Sequence, residues 1–157
     1  MNTIKYIPAL RYKWLTPLYD FLINLTMPEK KIKQALIESA CIPANGKVLD
    51  FGCGTATLNI MVKEVHPEAK VTGIDVDREI LDKAKQKVKE KKLDIFLLDF
   101  DGSQLPFQNK AFERILSCLV FHHLDTNAKR KALVEAFRVL GTNGQLFIAD
   151  FGRANTL

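Results

Sequence analysis

The sequence holds no apolar run approaching the ~20 residues of a membrane-spanning helix. Its first residues, MNTIKYIPALRYKW, lack the basic segment, apolar stretch and small-residue cleavage site of a secretory signal. A cytoplasmic protein without a membrane span is therefore expected. Cysteine is scarce: Cys41, Cys53 and Cys118 lie far apart and no two form a CxxC pair. That excludes the usual zinc and redox spacings, so neither a metal site nor a disulfide is expected, and the three thiols read as small buried hydrophobes. Repeats and low-complexity linkers are also missing. What remains is a chain of 157 residues, 47% hydrophobic and 26% charged, ordinary values for one globular domain with a real core.

The net charge is +5, with much of the excess in KAKQKVKEKK, Lys83 to Lys92. Such a block can signal nucleic-acid binding. Here Leu81, Ala84 and Val88 fall at i, i+3, i+7, one face of a helix, which leaves the lysines solvated on the others. No aromatic residue interleaves with them as a stacking platform for bases, so nucleic acid is not an expected partner.

From Lys47 onward, short apolar runs alternate with helical segments. Strands are expected at Lys47 to Phe51, Lys70 to Asp75, Asp94 to Leu98, Arg114 to Val120 and Gly144 to Asp150. Helices are expected at Thr57 to Val65, Arg78 to about Lys91, and Ala128 to Leu140, the last with Leu133, Phe137 and Leu140 on one face. That alternation predicts an α/β fold, an open and mostly parallel sheet with helices on both faces. Residues 1–45 differ in kind. Trp14 to Leu25 is apolar and aromatic, and Glu29 to Ala40 carries Ile32, Leu36 and Ile37 on one helical face. They read as an N-terminal helical cap on a core of residues 46–157.

Three features carry chemistry. In Val48-Leu49-Asp50-Phe51-Gly52-Cys53-Gly54-Thr55-Ala56 a buried strand runs into a turn where Gly52 and Gly54 let backbone approach a ligand, and a helix N-terminus follows. The dinucleotide fingerprint GxGxxG requires glycine where Thr57 stands, and GxxxxGK[ST] is absent. The turn is thus ill suited to a pyrophosphate and better suited to a smaller ligand. The second feature is Gly73-Ile74-Asp75. An acid ending the second strand, roughly 20 residues beyond the loop, is placed to accept hydrogen bonds from two ribose hydroxyls. Asp77, two residues on, suits a helix N-cap. The third is Asp101-Gly102-Ser103-Gln104-Leu105-Pro106-Phe107, after the third strand.

Taken in order, these features resemble the class I S-adenosylmethionine-dependent methyltransferases, especially the small-molecule branch that includes the ubiquinone and menaquinone C-methyltransferases. The family pattern runs DxGxGTG, GxD, DAExLPF, FD before an apolar strand, HHL and RVLKPGG. This chain has DFGCGTA at Asp50 to Ala56, GID at Gly73 to Asp75, DGSQLPF at Asp101 to Phe107, FERILSCLVFHHL at Phe112 to Leu124, and RVLGTNG at Arg138 to Gly144. The likeness covers roughly residues 45 to 152. It implies a Rossmann-like methyltransferase fold binding S-adenosyl-L-methionine, with S-adenosyl-L-homocysteine as product.

By position, the resemblance puts Gly52 and Gly54 under the methionine portion, Asp50 on its ammonium and Asp75 on the ribose. Ile74 and Val76 would border the adenosine. Asp101 would take the adenine amino group, in competition with Asp99, and Gly102 would offer its N–H to the ring. Ser117 and Cys118 would approach the methionine end, largely through backbone carbonyls. Ala56 stands for the third glycine, Glu113 for the aspartate after Phe112, and Gly141-Thr142-Asn143-Gly144 for the proline-containing turn.

His122 and His123 invite a catalytic reading. Adjacent residues do not converge on one metal, and no third ligand is evident. Either they are strand-end histidines bonded locally, or one of them, His123 by family position, borders the pocket of a small-molecule methyl acceptor as the catalytic residue. Tyr19 and Asp20 are further candidates for that wall. The family's sheet normally has seven strands, and this sequence offers five. An apolar edge at Gln145 to Asp150 would invite pairing, so a fragment, a short form or a homo-oligomer through that edge is expected. An active methyltransferase and a cofactor-binding domain that is catalytically incomplete both fit. A nicotinamide-dependent oxidoreductase fits less well.

Overall fold

The computed structural model describes residues 29–152. Trp14 to Leu25, with Tyr19 and Asp20, therefore lie outside the described residues. The elements are α1 (Glu29–Ala40), β1 (Lys47–Phe51), α2 (Thr57–Val65), β2 (Lys70–Asp75), α3 (Arg78–Glu90), β3 (Ile95–Asp99), β4 (Phe112–Cys118), α4 (Thr126–Val139) and β5 (Leu140–Ala149), with a 3-10 turn at Phe121–His123. All strand pairings are parallel, in the order β3-β2-β1-β4-β5. β1 is thus central, and the connections run to one side of it first and then to the other. The α/β reading holds.

The pleat of β1 sorts its side chains between two layers. Leu49 and Phe51 join Ile74, Ile115, Ala136 and Val139 in a cluster under α4. Val48 joins Leu36, Ile37, Ala40, Leu58, Val62, Val71 and Leu116, beneath α1 and α2. By the same alternation Asp50 is directed to the α1 side. α1 therefore shares a core with the sheet. Arg114 holds its C-terminal end, its Nε donating to the Ala40 carbonyl (2.6 Å) and its Nη2 to that of Cys41 (3.1 Å), where carbonyls have no helical partners. Glu113, a departure from the family pattern, accepts the Lys47 N–H at the start of β1 (2.6 Å).

α3 forms as its pattern predicts. The Asp77 carboxylate caps it by accepting the N–H groups of Glu79 and Ile80. Leu81, Ala84 and Val88 are buried, so the lysines between them are left on the outer faces.

Several expectations require correction. In α4 the buried residues are Ala128, Ala136 and Val139, while Leu133 is 43% and Phe137 83% exposed. On that face Ala128 lines a cleft with the half-buried Ala132, while Ala136 and Val139 pack on the sheet. β4 begins at Phe112 and stops at Cys118 rather than Val120, because Leu119 takes a left-handed conformation (φ 59°). β5 begins at Leu140, and the register slips between Phe112↔Leu140 and Arg114↔Gln145. Gly141 to Gly144 are absorbed as a bulge in the strand. Cys41 is exposed; of the three thiols only Cys53 is fully buried.

Asn59 of α2 is 0% exposed, and neither its amide nitrogen nor its oxygen has a partner among the described residues. A buried polar atom without a hydrogen bond costs about 1–3 kcal/mol. Asn59→Leu, which keeps the branched shape, is accordingly expected to stabilise the chain by about 1–3 kcal/mol. Urea denaturation checks this.

Candidate active site

A cleft lies over the C-terminal ends of β1, β2 and β4, where the strand order reverses around β1 and open parallel sheets hold their ligands. It has two lobes that share Gly52, Asp75, Val120 and Leu124. The apolar lobe, about 290 Å³, is walled by Ile74, Val76, Phe100, Ala128 and Ala132, with Asp101 and Gly102 at its rim. The polar lobe, about 320 Å³, is lined by Asp50, Gly54, Cys118 and His123, with Glu29 and Lys33 of α1 above.

The glycine loop crosses the floor between the lobes. The N–H groups of Gly52 and Cys53 both donate to the Ile74 carbonyl, each at 2.9 Å, tying the loop to β2. Gly52 has φ +81°, and a Cβ there would lie 2.4 Å from Val120 Cγ2. Only glycine suits that position. At Gly54 (φ +53°) a Cβ would meet nothing within 4 Å. The loop thus leaves open space where a ligand can lie against backbone. Ala56 is also left-handed (φ 58°), which costs an L-residue roughly 1–2 kcal/mol. Its methyl packs with Ile60, Ala84 and Val88 in compensation.

Asp50 is 2% exposed, and its Oδ2 has no partner among the described residues. Burial pushes its carboxyl up to about 7; Lys33 pulls it down and Asp75 adds to the rise. It is a hydrogen-bond acceptor without a donor, at the floor of a cleft.

Asp75 stands where the lobes meet. Its Oδ2 accepts the Gly54 N–H (2.7 Å) and its Oδ1 the Asp77 N–H (3.0 Å). Each carboxylate oxygen has room for a further donor. Asp101 Oδ1 accepts the N–H (2.9 Å) and hydroxyl (2.5 Å) of Ser103, and these bonds hold its carboxyl below the ordinary range. Gly102 (φ +81°) makes the turn there. Asp99, the alternative to Asp101, pairs instead with Arg78, 2.9 Å away.

The structure thus gathers Asp50, Gly52, Gly54, Asp75, Val76, Asp101, Gly102 and His123 around one cleft. It does not bring the Ser117 side chain there. Ser117 is fully buried, and its hydroxyl donates to the Phe51 carbonyl (3.1 Å), stitching β4 to β1. Neighbouring Cys118 does line the polar lobe, its thiol pushed up to about 11 by burial.

The histidines divide their work. His122 is tied to Asp150, with Nδ1 and Oδ1 2.8 Å apart and the His122 N–H donating to Oδ2 (3.1 Å). His123 stacks on it, ring centroids 3.8 Å apart, and faces the polar lobe. Burial, then the neighbouring His122, lowers the pKa of His123 against an opposing pull from Asp150. The ring is thereby kept neutral at neutral pH. Among the described residues, no three His, Cys, Asp or Glu side chains cluster as a metal site. No described helix is long and apolar enough to cross a membrane.

A clasp on the Asp101–Asn109 loop escaped the sequence reading. Arg138 Nη1 donates to the Phe107 carbonyl (2.7 Å) and Asn109 Oδ1 (3.0 Å), and Nη2 donates to the Leu105 carbonyl (2.8 Å). Glu135 accepts the Leu105 N–H (2.8 Å) and both Nε (2.9 Å) and Nη2 (2.7 Å) of Arg138. The available signal was their i, i+3 spacing on α4, opposite the Leu-Pro-Phe turn.

Comparison with known proteins agrees with this geometry. The family model described as a methyltransferase domain matches residues 48–144. The demethylmenaquinone methyltransferase of Thermus thermophilus is 30% identical over 139 residues, covering 87% of this chain and 62% of that protein. The ubiquinone/menaquinone biosynthesis C-methyltransferase of Desulfotalea psychrophila is 28% identical over 135 residues, covering 84% of this chain and 53% of that protein. The chain thus spans somewhat over half the length of these curated relatives. A solved structure of a SAM-dependent methyltransferase from Aquifex aeolicus shares the fold, with a TM-score of 0.71 at 23% identity, covering 88% of this chain and 77% of that one. With its domain match, strand order and switch-point cleft in agreement, this chain belongs to the class I S-adenosylmethionine-dependent methyltransferase family.

Proposed function

We propose that the chain binds S-adenosylmethionine along this cleft and transfers its methyl group to a small, quinone-type acceptor. The carrying observation is one row of acids, with Asp50 in the polar lobe, Asp75 at the junction and Asp101 at the apolar rim. Their spread matches a ligand with an ammonium at one end, a diol in the middle and an aromatic amine at the other. The unpartnered Asp50 Oδ2 and the open space over Gly54 fit the methionine portion.

When bound, the cofactor supplies a sulfonium methyl that is already activated toward nucleophiles. The chain's task is then mainly alignment and exclusion of water. Asp75 receives the ribose hydroxyls on the lone pairs that Gly54 and Asp77 leave free. Val76, Ile74 and Phe100 sandwich the base, Asp101 accepts its amino group, and Gly102 offers backbone. Backbone at Ser117 and Cys118 borders the methionine end. His123, held neutral, accepts the proton that a carbon or oxygen acid must lose. The names of the relatives support a quinone-type acceptor, and so do the apolar residues Leu119, Val120 and Leu124 beside His123.

Calorimetry with S-adenosylhomocysteine tests the cofactor assignment. The wild type should bind, and Asp75→Ala and Asp101→Ala should each weaken binding about tenfold or more, the worth of a charge-assisted hydrogen bond. Undiminished binding in both variants overturns the residue roles. No binding by a folded wild type overturns the function. Transfer of labelled methyl to a demethylated quinol tests the acceptor.

A further inference from the structure

α1 buries Leu36, Ile37 and Ala40, and Lys33 stands one turn before them on the same stripe, at i−3, i−4 and i−7. An apolar residue would ordinarily occupy that position. The Lys33 side chain is only 12% exposed, and it lines the polar lobe together with Asp50. Its partner is Glu29, one turn earlier and at the same lobe. Asp50, on the face of β1 that α1 covers, is 2% exposed and keeps an unpartnered oxygen. One lobe therefore offers a buried anion from the sheet and a nearly buried cation from the helix above it. An α-amino acid group, with ammonium and carboxylate on one carbon, is complementary to that pair.

We infer that Lys33 anchors the carboxylate of the methionine portion of the cofactor, opposite Asp50, exchanging its Glu29 partner for the ligand. The inference rests on the proposed cofactor reading and goes beyond it by making α1 part of the site. A buried lysine is costly unless paired, and Glu29, 37% exposed, is a partner that water can replace. Lys33 also influences Asp50, Cys118 and Lys87 electrostatically, as a charge seated over the lobe does.

The test is calorimetry on the full chain with S-adenosylhomocysteine and with its decarboxylated analogue, which keeps the ammonium and lacks the carboxylate. Lys33→Met, which preserves the buried stem, should weaken S-adenosylhomocysteine binding about tenfold or more and leave the analogue within about twofold. Lys33→Arg should retain both ligands and keeps the test open if the methionine variant fails to fold. Equal losses for both ligands, or unchanged binding of S-adenosylhomocysteine, overturn the assignment of Lys33. A wild type that binds neither ligand overturns the cofactor reading itself, a distinct outcome.

Discussion

Asp50→Asn is expected to stabilise the free protein while weakening S-adenosylhomocysteine binding about a hundredfold or more above pH 7. Both effects follow from a carboxyl that burial has pushed up to about 7 from an ordinary value of 3.8. In the free protein the folded state holds that proton more tightly than the unfolded chain does. Asp50 therefore costs nothing below the unfolded value, and stability falls as pH rises from about 4 to about 7, then levels. Asparagine removes this decline, a gain on the order of 4 kcal/mol at pH 8. Binding runs the other way, because the ligand ammonium requires the ionised carboxylate. Wild-type affinity should rise about tenfold between pH 6 and pH 8, and the asparagine variant should show no such rise. The loss at high pH reflects an ammonium left without its counter-ion in a buried site, worth about 3–5 kcal/mol. Melting curves and calorimetry at the two pH values check both halves. A wild-type affinity that ignores pH removes Asp50 from the site.

Arg138→Met is expected to destabilise the fold by about 2–3 kcal/mol and to weaken cofactor binding, although the side chain touches no part of the proposed ligand. Arg138 and Glu135 are 21% and 15% exposed. Methionine fills the space of the stem but leaves Glu135 without its cation and frees the carbonyls of Leu105 and Phe107, which Arg138 tethers. At about 2–4 °C per kcal/mol for a domain of this size, the midpoint should drop by about 5–10 °C. The loop so released carries Asp101 and Gly102, so affinity declines with it. The double variant Arg138→Met/Glu135→Gln should recover part of the stability, because removing both charges avoids the orphaned one. Equal melting temperatures for wild type and Arg138→Met contradict this account.

The contrast between Asp50 and Arg138 marks what the sequence can express. Strand identity, the glycine loop, Asp75 and the Asp77 cap depend on neighbours within a few residues and on alternation, and they are legible. The α4 face was misread because Leu133 and Phe137 follow helical spacing as well as Ala128, Ala132 and Ala136 do. Only the sheet and cleft beneath the helix decide which of these side chains face inward. Gly141 to Gly144 read as a turn, and the pairing of Phe112 with Leu140 makes them a bulge. The resemblance places Ser117 at the methionine end largely through its backbone, and its hydroxyl donates to the Phe51 carbonyl instead of facing the cleft. The placement of Lys33 and of the Glu135–Arg138 clasp escaped the sequence for one shared reason. A charged residue on a helix is by default solvated, and its burial depends on an element distant in the sequence.

The central position of β1 bears on how the molecule is assembled. Residues 47–99 form β1, β2 and β3, each paired with the one before it. Made before β4 and β5, this stretch can close on itself through contacts of modest sequence separation, which favours rapid formation. It already holds the glycine loop with Asp50 and Asp75. The chain must then return past β2 and β1 to place β4 on the free side of β1, bringing Val120 and Leu124 to the cleft. A molecule seated in that cleft spans the seam between the earlier and later halves. It therefore acts as a fastener, favouring the joined state by its own binding free energy.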